Sequence, residues 1–282
     1  MCTPYRVSTI TANGDVGAPV RLESFFSHIR IRGPGELIGF CWVELGESRN
    51  RGINIRKRRP GIKKKIFDNQ ATVIYCFRDG YQPNIKIFRN GNVQMTGIKT
   101  IEDGKKIVQL IADEVNRIYQ EHDPDIMKPL ITIPVSKDAE TDGPAHVEAS
   151  AQNFKIRMIN SDFAAPFRLR RKDLHQLLIN KYHNTCSYQP ETYPGVKLQY
   201  FWNKSTWPNN GCCICETPCF GKGLGDGDGG CKKVTVSVFQ SGKVLVTGAT
   251  AFEQVNAAYN FICTVIMENQ DQIQWAAPTA AA

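Results

Sequence analysis

An internal duplication constrains this sequence more than any other feature. Residues 88–115 align with residues 239–266 at a constant offset of 151, with Phe, Gly, Val, Thr-Gly, Glu and Ile at equal spacing. Earlier in each half, Ala18-Pro19-Val20-Arg21-Leu22 matches Ala165-Pro166-Phe167-Arg168-Leu169 at an offset of 147. Because the same segments recur in the same order, the sequence predicts a tandem repeat of one structural unit.

The hydrophobic pattern predicts the same elements in both halves. Each begins with a strand, at 5–12 or 154–160, and continues with a helix near the Pro-x-Arg-Leu motif and several β-rich segments. A tight hairpin at Asn90-Gly91 or Ser241-Gly242 precedes a closing helix with an apolar stripe at helical spacing. The fold class is therefore predicted to be α+β, with the helices on one face of antiparallel strands and the other face open.

The predicted domain boundaries follow from the repeat. The first repeat spans 1–122 with a basic insertion at about 46–66, and a Pro-rich linker spans 123–153, in which 130–133 could add a strand. The second repeat spans 154–275 with a Cys- and Gly-rich insertion at about 203–231, and 276–282 form a tail.

The open face has an unusual composition. Thr235, Ser237 and Phe239 alternate with valines, as Asn84, Lys86 and Phe88 alternate with isoleucines. Small polar groups, a lysine and an exposed phenylalanine favour a binding face over plain solvent exposure. The alternative is that Phe88 and Phe239 are simply buried.

The positive charge is local. The chain has a net charge of +8, and residues 49–65 carry nine positive charges with no acidic residue, so the remainder is nearly neutral. Such a segment, which includes Arg56, Lys57, Arg58 and Arg59, is typical of polyanion binding. A solvated loop and a localisation signal are the alternatives.

Five of the ten cysteines lie within one 20-residue stretch, namely Cys212, Cys213, Cys215, Cys219 and Cys231. In a reducing compartment such clustering favours a metal over disulfides, and four thiolates suit tetrahedral zinc. We expect about one Zn²⁺ per chain, held by Cys215, Cys219, Cys231 and one of Cys212 or Cys213. An unmetallated flexible loop and disulfides are the alternatives.

No catalytic signature is present. The sequence has no phosphate-binding Gly-x-x-x-x-Gly-Lys-Ser/Thr, no His-Glu-x-x-His and no nucleophile-elbow serine, and its five histidines are dispersed. We therefore expect the protein not to be an enzyme. It has no apolar run of membrane-spanning length and no secretory signal pattern, so we expect a soluble intracellular protein with no membrane partner.

At this point the residues resemble a known family. The segment Ser187-Tyr188-Gln189-Pro190-Glu191-Thr192-Tyr193-Pro194-Gly195, followed by Val238-Phe239-Gln240-Ser241-Gly242-Lys243 and Val246-Thr247-Gly248-Ala249, resembles the second repeat of the TATA-box-binding protein family. The first repeat matches through Ile87-Phe88, Asn90-Gly91 and Thr96-Gly97-Ile98-Lys99. The phrase Phe67-Asp68-Asn69-Gln70 and the insertions resemble the divergent members from large nucleocytoplasmic DNA viruses.

The resemblance implies a saddle: a curved antiparallel sheet of two pseudo-symmetric repeats with helices on the convex face and DNA beneath the concave face. The family is itself the standard example of minor-groove binding with inserted apolar wedges. The implied function is a transcription-initiation factor that binds and bends A·T-rich double-stranded promoter DNA. Its implied partners are a factor IIB-like protein and a multisubunit RNA polymerase. Its implied location is the nucleus or a cytoplasmic viral factory, with packaging in the virion as a further option.

The resemblance also implies site residues, position by position. Phe88, Phe239 and Tyr193 match wedges, Thr96 and Thr247 match groove-facing threonines, Leu245 and Thr235 fall at apolar groove contacts, and Lys99 and Lys243 match phosphate-contacting lysines. Lys86, Gln94 and Ser237 replace aliphatic groove contacts, which predicts an altered or relaxed preference for TATA. The cysteine insertion falls in the loop of the second stirrup, which in the family receives the factor IIB-like protein.

Several points stay open in the sequence. The fourth wedge falls near Gln70, Phe67 or Gly33, and the two near-central asparagines of the family fall near Tyr5 and near Met158 or Asn160. Two other functions compete: an RNA- or damaged-DNA-recognition module, and a protein-binding scaffold that no longer contacts DNA.

Overall fold

The computed structural model describes residues 1–46, 49–54, 69–121, 149–205 and 210–275. The chain forms two compact units. Ile10–Ile156 is called here the first unit, and Met1–Thr9 together with Arg157–Ala282 is called the second unit. The predicted α+β class is confirmed, since antiparallel strands and separate helices build both units. The finer domain boundaries stay a prediction, and the expected strand at 130–133 lies outside the described residues.

The first unit contains most of the elements that precede the linker. In chain order they are β1 (Arg6–Asp15, of which the part from Ile10 belongs here), α1 (Leu22–His28), β2 (Gly39–Leu45), β3 (Arg49–Gly52), β4 (Gln70–Cys76), β5 (Asn84–Phe88), β6 (Asn92–Ile98) and α2 (Ile101–Glu121). The strands lie in the order β3-β2-β4-β5-β6-β1, and every neighbouring pair is antiparallel.

The second unit repeats the plan with fewer edge strands. Its elements are β7 (Gln152–Ala164, of which the part from Arg157 belongs here), α3 (Arg171–Asn180), β8 (Thr185–Ser187), β9 (Val196–Trp202), β10 (Lys232–Val238), β11 (Lys243–Ala249), α4 (Phe252–Glu268) and α5 (Gln270–Ile273). Their order is β7-β11-β10-β9-β8, again antiparallel. Strands β4, β5 and β6 thus correspond to β9, β10 and β11.

One face of each unit is covered by its closing helix. Helix α4 packs on β9, β10 and β11, and α2 packs on β6. The valines of β10 and the isoleucines of β5 are fully buried, as the alternation predicts. In α2 the buried side chains recur at helical spacing, namely Ile107, Val108, Ile111, Ala112, Val115 and Ile118. Apolar burial at about 25 cal/mol per Å² holds strands and helices together.

The two hairpin turns are tied to the Ala-Pro segments. Gly91 and Gly242 have φ of 87° and 88°, a region that favours glycine. The backbone N–H of Val16 donates to the Gly91 carbonyl at 3.1 Å, and that of Ala165 donates to the Gly242 carbonyl at 2.8 Å. Each hairpin is thereby fixed against the segment that follows the first strand of its repeat. Both parts of the sequence duplication therefore meet in each unit.

The predicted basic insertion is not entirely a loop. Arg49–Gly52 forms the edge strand β3, paired with β2. Arg49 forms a two-pronged ion pair with Glu23 of α1, at 2.7 and 2.9 Å, and Arg51 donates to the carbonyls of Phe26 and Ser27 at 2.6 Å. The hydrogen bond from the Arg49 guanidinium is the largest influence on the Glu23 carboxyl, and it lowers the pKa of Glu23. These two arginines therefore serve the helix-covered side of the first unit.

Candidate nucleic-acid interface

The face of the second unit opposite α4 carries the predicted groove residues in cross-strand rows. Thr235 on β10 lies opposite Thr247 on β11, and Ser237 lies opposite Leu245. These side chains alternate with valines that are fully buried under α4. Thr235, Thr247 and Leu245 are partly exposed, whereas Ser237 is 5% exposed. The structure therefore brings all four together on one surface, with Ser237 set deepest.

Two aromatic rings stand together at the end of that surface. The Tyr193 and Phe239 ring centroids are 5.8 Å apart, and both side chains are partly exposed. The Lys197 Nζ lies 4.0 Å from the Tyr193 ring centroid, a cation–π distance. A Cβ atom on Gly195 would lie 2.9 Å from the Tyr193 ring and 3.2 Å from the Phe239 ring. The glycine of the Tyr-Pro-Gly motif therefore leaves room for the aromatic pair.

The first unit presents a corresponding but more polar row. Lys86 on β5 lies opposite Gln94 on β6, which lies opposite Asn13 on β1. Phe88 ends β5 and is partly exposed, and Thr96 is exposed. The burial alternative for Phe88 and Phe239 is thus wrong.

The predicted phosphate lysines differ in their surroundings. Lys243 is exposed at the start of β11. The Lys99 Nζ instead forms an ion pair with Asp79 at 3.0 Å and lies 4.5 Å from the Tyr81 ring centroid. Its charge is already partly compensated, so Lys99 suits phosphate contact less well than the sequence predicted. Arg56, Lys57, Arg58 and Arg59 lie outside the described residues.

Comparisons with known proteins agree with this arrangement. Residues 153–269 match the family model "Transcription factor TFIID (or TATA-binding protein, TBP)". Over this segment, which lies in the second repeat, the chain is similar to the TATA-binding protein family. The "TATA-box-binding protein-like" protein of Acanthamoeba polyphaga mimivirus is 28% identical to it, over 95% of this chain and 66% of the relative. The resemblance predicted from the sequence is confirmed.

Two further proteins are similar to the chain at lower identity. "TATA-box-binding protein 2" of Entamoeba histolytica is 23% identical, over 66% of this chain and 59% of its own length. The solved structure of "Methanococcus jannaschii TBP" has a TM-score of 0.48 and 16% identity, and the match covers 94% of this chain and 99% of that one. The chain therefore spans about two thirds or less of the length of these viral and amoebal relatives.

The strand register shows which position of the first unit corresponds to Tyr193, where the sequence predicts a fourth wedge. Val196 lies opposite Val238, which sets Gly195 beside Phe239, whereas Gln70 lies opposite Phe88. Gln70 is thus the counterpart of Gly195, and the counterpart of Tyr193 is position 68. Positions 67 and 68 lie outside the described residues. Gly33 precedes β2, which does not pair with β5, so Gly33 is not the counterpart.

A duplicated Asn-x-Asp motif was missed in the sequence. Asn13 and Asp15 of β1 correspond to Asn160 and Asp162 of β7 at the same offset of 147 that aligns the Ala-Pro segments. Asp162 lies opposite Leu245 and therefore on the open face of the second unit. Extending the alignment of the Ala-Pro segments by a few residues toward the N-terminus, at the same offset, reveals the motif in the sequence.

The surroundings of this motif correct one asparagine assignment. The Tyr5 hydroxyl donates to Asn256 of α4 at 2.6 Å, so Tyr5 serves the helix-covered side. Asn160 is on the open face between buried Ile159 and Ser161, and its Oδ1 has no hydrogen-bond partner among the described residues. Asp162 is 9% exposed and forms a 3.0 Å ion pair with Arg6.

The first unit has one apolar region on the face opposite its helices. Trp42 lies opposite Ile74, which lies opposite Asn84, so all three share a face. Trp42 and Ile74 are nevertheless buried, in a small cluster with Cys41 and Cys76. The polar part of this face runs through β5, β6 and β1 and continues onto β4 and β2 at Thr72 and Glu44, which lie opposite each other and are buried.

The cysteine insertion separates into two groups. The sulfur atoms of Cys213, Cys215, Cys219 and Cys231 all lie within 4.8 Å of one another. Cys212 points away, donating to the Tyr182 carbonyl at 3.3 Å and accepting from Asn184 Nδ2 at 3.4 Å.

The environments of the thiols differ. Burial raises the pKa of Cys213 and of Cys231. Burial also acts to raise the pKa of Cys219, but the backbone N–H groups of Gly221 and Cys231 and neighbouring thiols outweigh it, so that pKa is lowered. Hydrogen bonds to sulfur favour the thiolate, the form that binds metals.

No helix in the described ranges combines the length and apolar character needed to cross a bilayer.

Proposed function

We propose that this chain is a transcription-initiation factor that binds A·T-rich promoter DNA in the minor groove, bends it, and recruits a factor IIB-like protein and a multisubunit RNA polymerase. The observation that carries the proposal is the paired Tyr193 and Phe239 at the edge of the open face, beside Lys197. A family match over the second repeat supports the same function.

The aromatic pair has the properties of a wedge. Both rings project from a surface that is not covered by the helices, and the tight packing around Gly195 limits their freedom before DNA is present. Inserting such side chains between base pairs costs a few kcal/mol of unstacking, which added groove contacts offset. Lys197 adds a positive charge where phosphates approach.

The remainder of the surface suits contact with base edges. Thr235 pairs with Thr247 and Ser237 with Leu245, which gives a surface of small, mixed side chains that suits the floor of the minor groove. In the minor groove, A·T pairs present acceptors only, whereas a G·C pair adds the guanine N2 donor. Asp162 supplies a carboxylate acceptor on β7, so we propose that this chain tolerates G·C pairs better than an apolar face would.

The cysteine insertion is proposed as the docking element for the factor IIB-like protein. Ile214, Phe220 and Leu224 on it are 70%, 73% and 74% exposed. Three large apolar side chains exposed on one short segment are typical of a protein contact. The insertion is poorly suited to phosphates, because its Asp226 and Asp228 oppose its few lysines.

A binding and bending experiment tests the proposal. Fluorescence energy transfer across end-labelled A·T-rich, G·C-rich and RNA duplexes should show tight binding and bending of the A·T-rich DNA, weaker binding to G·C-rich DNA and little binding to RNA. Phe239→Ala should reduce both signals, whereas Phe220→Ala, a matched loss of an exposed aromatic in the same unit, should change neither. Preference for RNA or damaged duplexes would favour the recognition module, and no nucleic-acid binding would favour the scaffold.

A further inference from the structure

We propose that Cys213, Cys215, Cys219 and Cys231 form a closed tetrahedral Zn²⁺ site that holds the insertion between β9 and β10 in its folded form. The inference is independent of DNA binding. It rests on the spacing of the four sulfur atoms, on the hydrogen bonds around them, and on the exposure of the large apolar side chains of the insertion.

The sulfur spacing matches zinc. A Zn–S bond is about 2.3 Å, so two sulfurs of a regular tetrahedron around zinc are about 3.8 Å apart. The Cys215–Cys231 and Cys213–Cys231 sulfur distances are 3.4 and 3.8 Å, and all four sulfurs lie within 4.8 Å. A disulfide would bring two sulfurs to about 2.05 Å. The group therefore has the dimensions of a four-coordinate metal site rather than of a cross-link.

Polar groups surround the sulfurs as they do in thiolate metal sites. The backbone N–H of Cys215 donates to Cys213, and the N–H groups of Gly221 and Cys231 donate to Cys219. Asn203 Nδ2 donates to the Cys231 sulfur at 3.6 Å. Such donors stabilise the negative charge that four thiolates bring to one dication and orient the ligands.

The insertion is held together by turns and not by a core. Asp228 accepts from the backbone N–H groups of Glu216 and Thr217, at 2.7 and 2.9 Å, and so joins the turn between Cys215 and Cys219 to the Gly-rich segment. Its large apolar side chains, Ile214, Phe220 and Leu224, are exposed. With so little apolar burial, metal binding would supply the folding free energy of this segment directly.

The four-sulfur group includes Cys213 but not its neighbour Cys212. Cys212 hydrogen-bonds to the carbonyl of Tyr182 and to Asn184, outside the four-sulfur group. It therefore serves as an internal control that differs from Cys213 by one position. Four thiolates in tetrahedral geometry select zinc over hard cations such as Mg²⁺ and Ca²⁺.

Elemental analysis of the full chain tests the site. Protein purified under reducing conditions, without a metal-affinity step, should contain one Zn²⁺ per chain. Cys212→Ser should keep this stoichiometry, whereas Cys213→Ser and Cys215→Ser should weaken zinc binding by at least about 100-fold in competition with a chromogenic chelator. Cobalt substitution should give the visible bands of a tetrahedral thiolate complex in the wild type and in Cys212→Ser.

A second measurement covers variants that fail to fold. Zinc released from the wild type by a thiol-blocking reagent should appear in step with the modification of four cysteines. Wild-type protein without zinc, with iron in its place, or with disulfides among these cysteines overturns the proposal. An equal loss of zinc in Cys212→Ser and Cys213→Ser overturns the ligand assignment.

Discussion

At the scale of single residues, the aromatic pair depends on the absence of a side chain. Gly195 packs against both Tyr193 and Phe239, and a Cβ atom there would approach the Tyr193 ring to 2.9 Å. Aromatic rings that are already packed together lose little conformational freedom on binding. The Tyr-Pro-Gly motif therefore restricts the two rings in the absence of a ligand, as their proposed role as a wedge requires.

Truncating a wedge should weaken DNA binding and reduce the bend. We expect Phe239→Ala and Tyr193→Ala each to cost about 1–3 kcal/mol of binding free energy to A·T-rich DNA, the range of one base–aromatic stack. Phe88→Ala should act in the same direction. Gel-shift titration and energy transfer would measure both effects, and three variants that bind and bend as the wild type does would contradict the assignment of these wedges.

Removing the carboxylate of Asp162 should strengthen DNA binding. The side chain lies on the open face, where its charge opposes the phosphates and the acceptors of A·T pairs, and Arg6 compensates it from a largely exposed position. We expect Asp162→Asn to raise affinity several-fold at low salt, with the gain shrinking as screening increases. A matched substitution at exposed Asp271 on α5 should have no effect, and lower affinity for Asp162→Asn would argue for a structural role of the ion pair.

At the scale of elements, the hairpin glycine is a tightly constrained position in each repeat. A Cβ atom on Gly91 would lie 2.3 Å from the Ala18 carbonyl oxygen, and one on Gly242 would lie 2.7 Å from that of Phe167. The turn cannot accept a side chain without moving the Ala-Pro segment. The hairpin and the Ala-Pro segment constrain each other through this contact, and both are among the segments that the two repeats share.

A matched glycine in the same unit separates the cost of backbone strain at positive φ from the cost of the steric contact that an added Cβ would make. Gly80 has φ of 80° and open space at its Cβ position, whereas Gly91 has φ of 87° and a carbonyl in contact. We expect Gly80→Ala to cost about 1 kcal/mol through backbone strain alone, and Gly91→Ala to cost at least about 2 kcal/mol. Urea unfolding curves would measure both, and equal costs would show that the turn relaxes freely.

The repeat made much of each unit predictable from the sequence. Period-two alternation placed Thr235 opposite the buried valines of its own strand, and helical spacing placed the stripe of α2. Pairing partners were not predictable, because register depends on contacts between distant strands. That is why Gly33 could not be excluded and why the ion pair of Lys99 with Asp79 was unforeseen.

The edge strand β3 shows a second limit to what the sequence predicts. Arg-Asn-Arg-Gly has no strand pattern of its own, and it pairs with β2 because that strand offers an unpaired edge. The cysteine clustering predicted a group of neighbouring thiols but not the choice between Cys212 and Cys213, since adjacent residues differ only in the direction their side chains take.

At the scale of the whole molecule, charge should govern affinity more than sequence preference. Replacing the seven basic residues between 56 and 65 by Gln should flatten the slope of log affinity against log salt by about 0.9 for each phosphate that is no longer neutralised. Arg49→Gln together with Arg51→Gln should change the slope little, because these arginines bind α1. An unchanged slope in the first variant would reassign the segment to localisation or to a protein partner.

Metal removal should separate DNA binding from recruitment. We expect Cys215→Ser combined with Cys219→Ser to leave DNA bending nearly intact, because the open-face rows lie on strands outside the insertion. Capture of a factor IIB-like protein should weaken at least several-fold. A double variant that no longer binds DNA, or one that still captures its partner normally, would contradict this division of labour.

The contact between the Gly-rich segment and β9 gives the protein a built-in optical probe. A Cβ atom on Gly225 would lie 2.1 Å from the Trp202 ring, so the segment packs directly against an indole. Indole emission depends on solvent access and on nearby thiols. The fluorescence of Trp202, isolated by difference against Trp202→Phe, should therefore report whether the Gly-rich segment is packed on β9, with no added label.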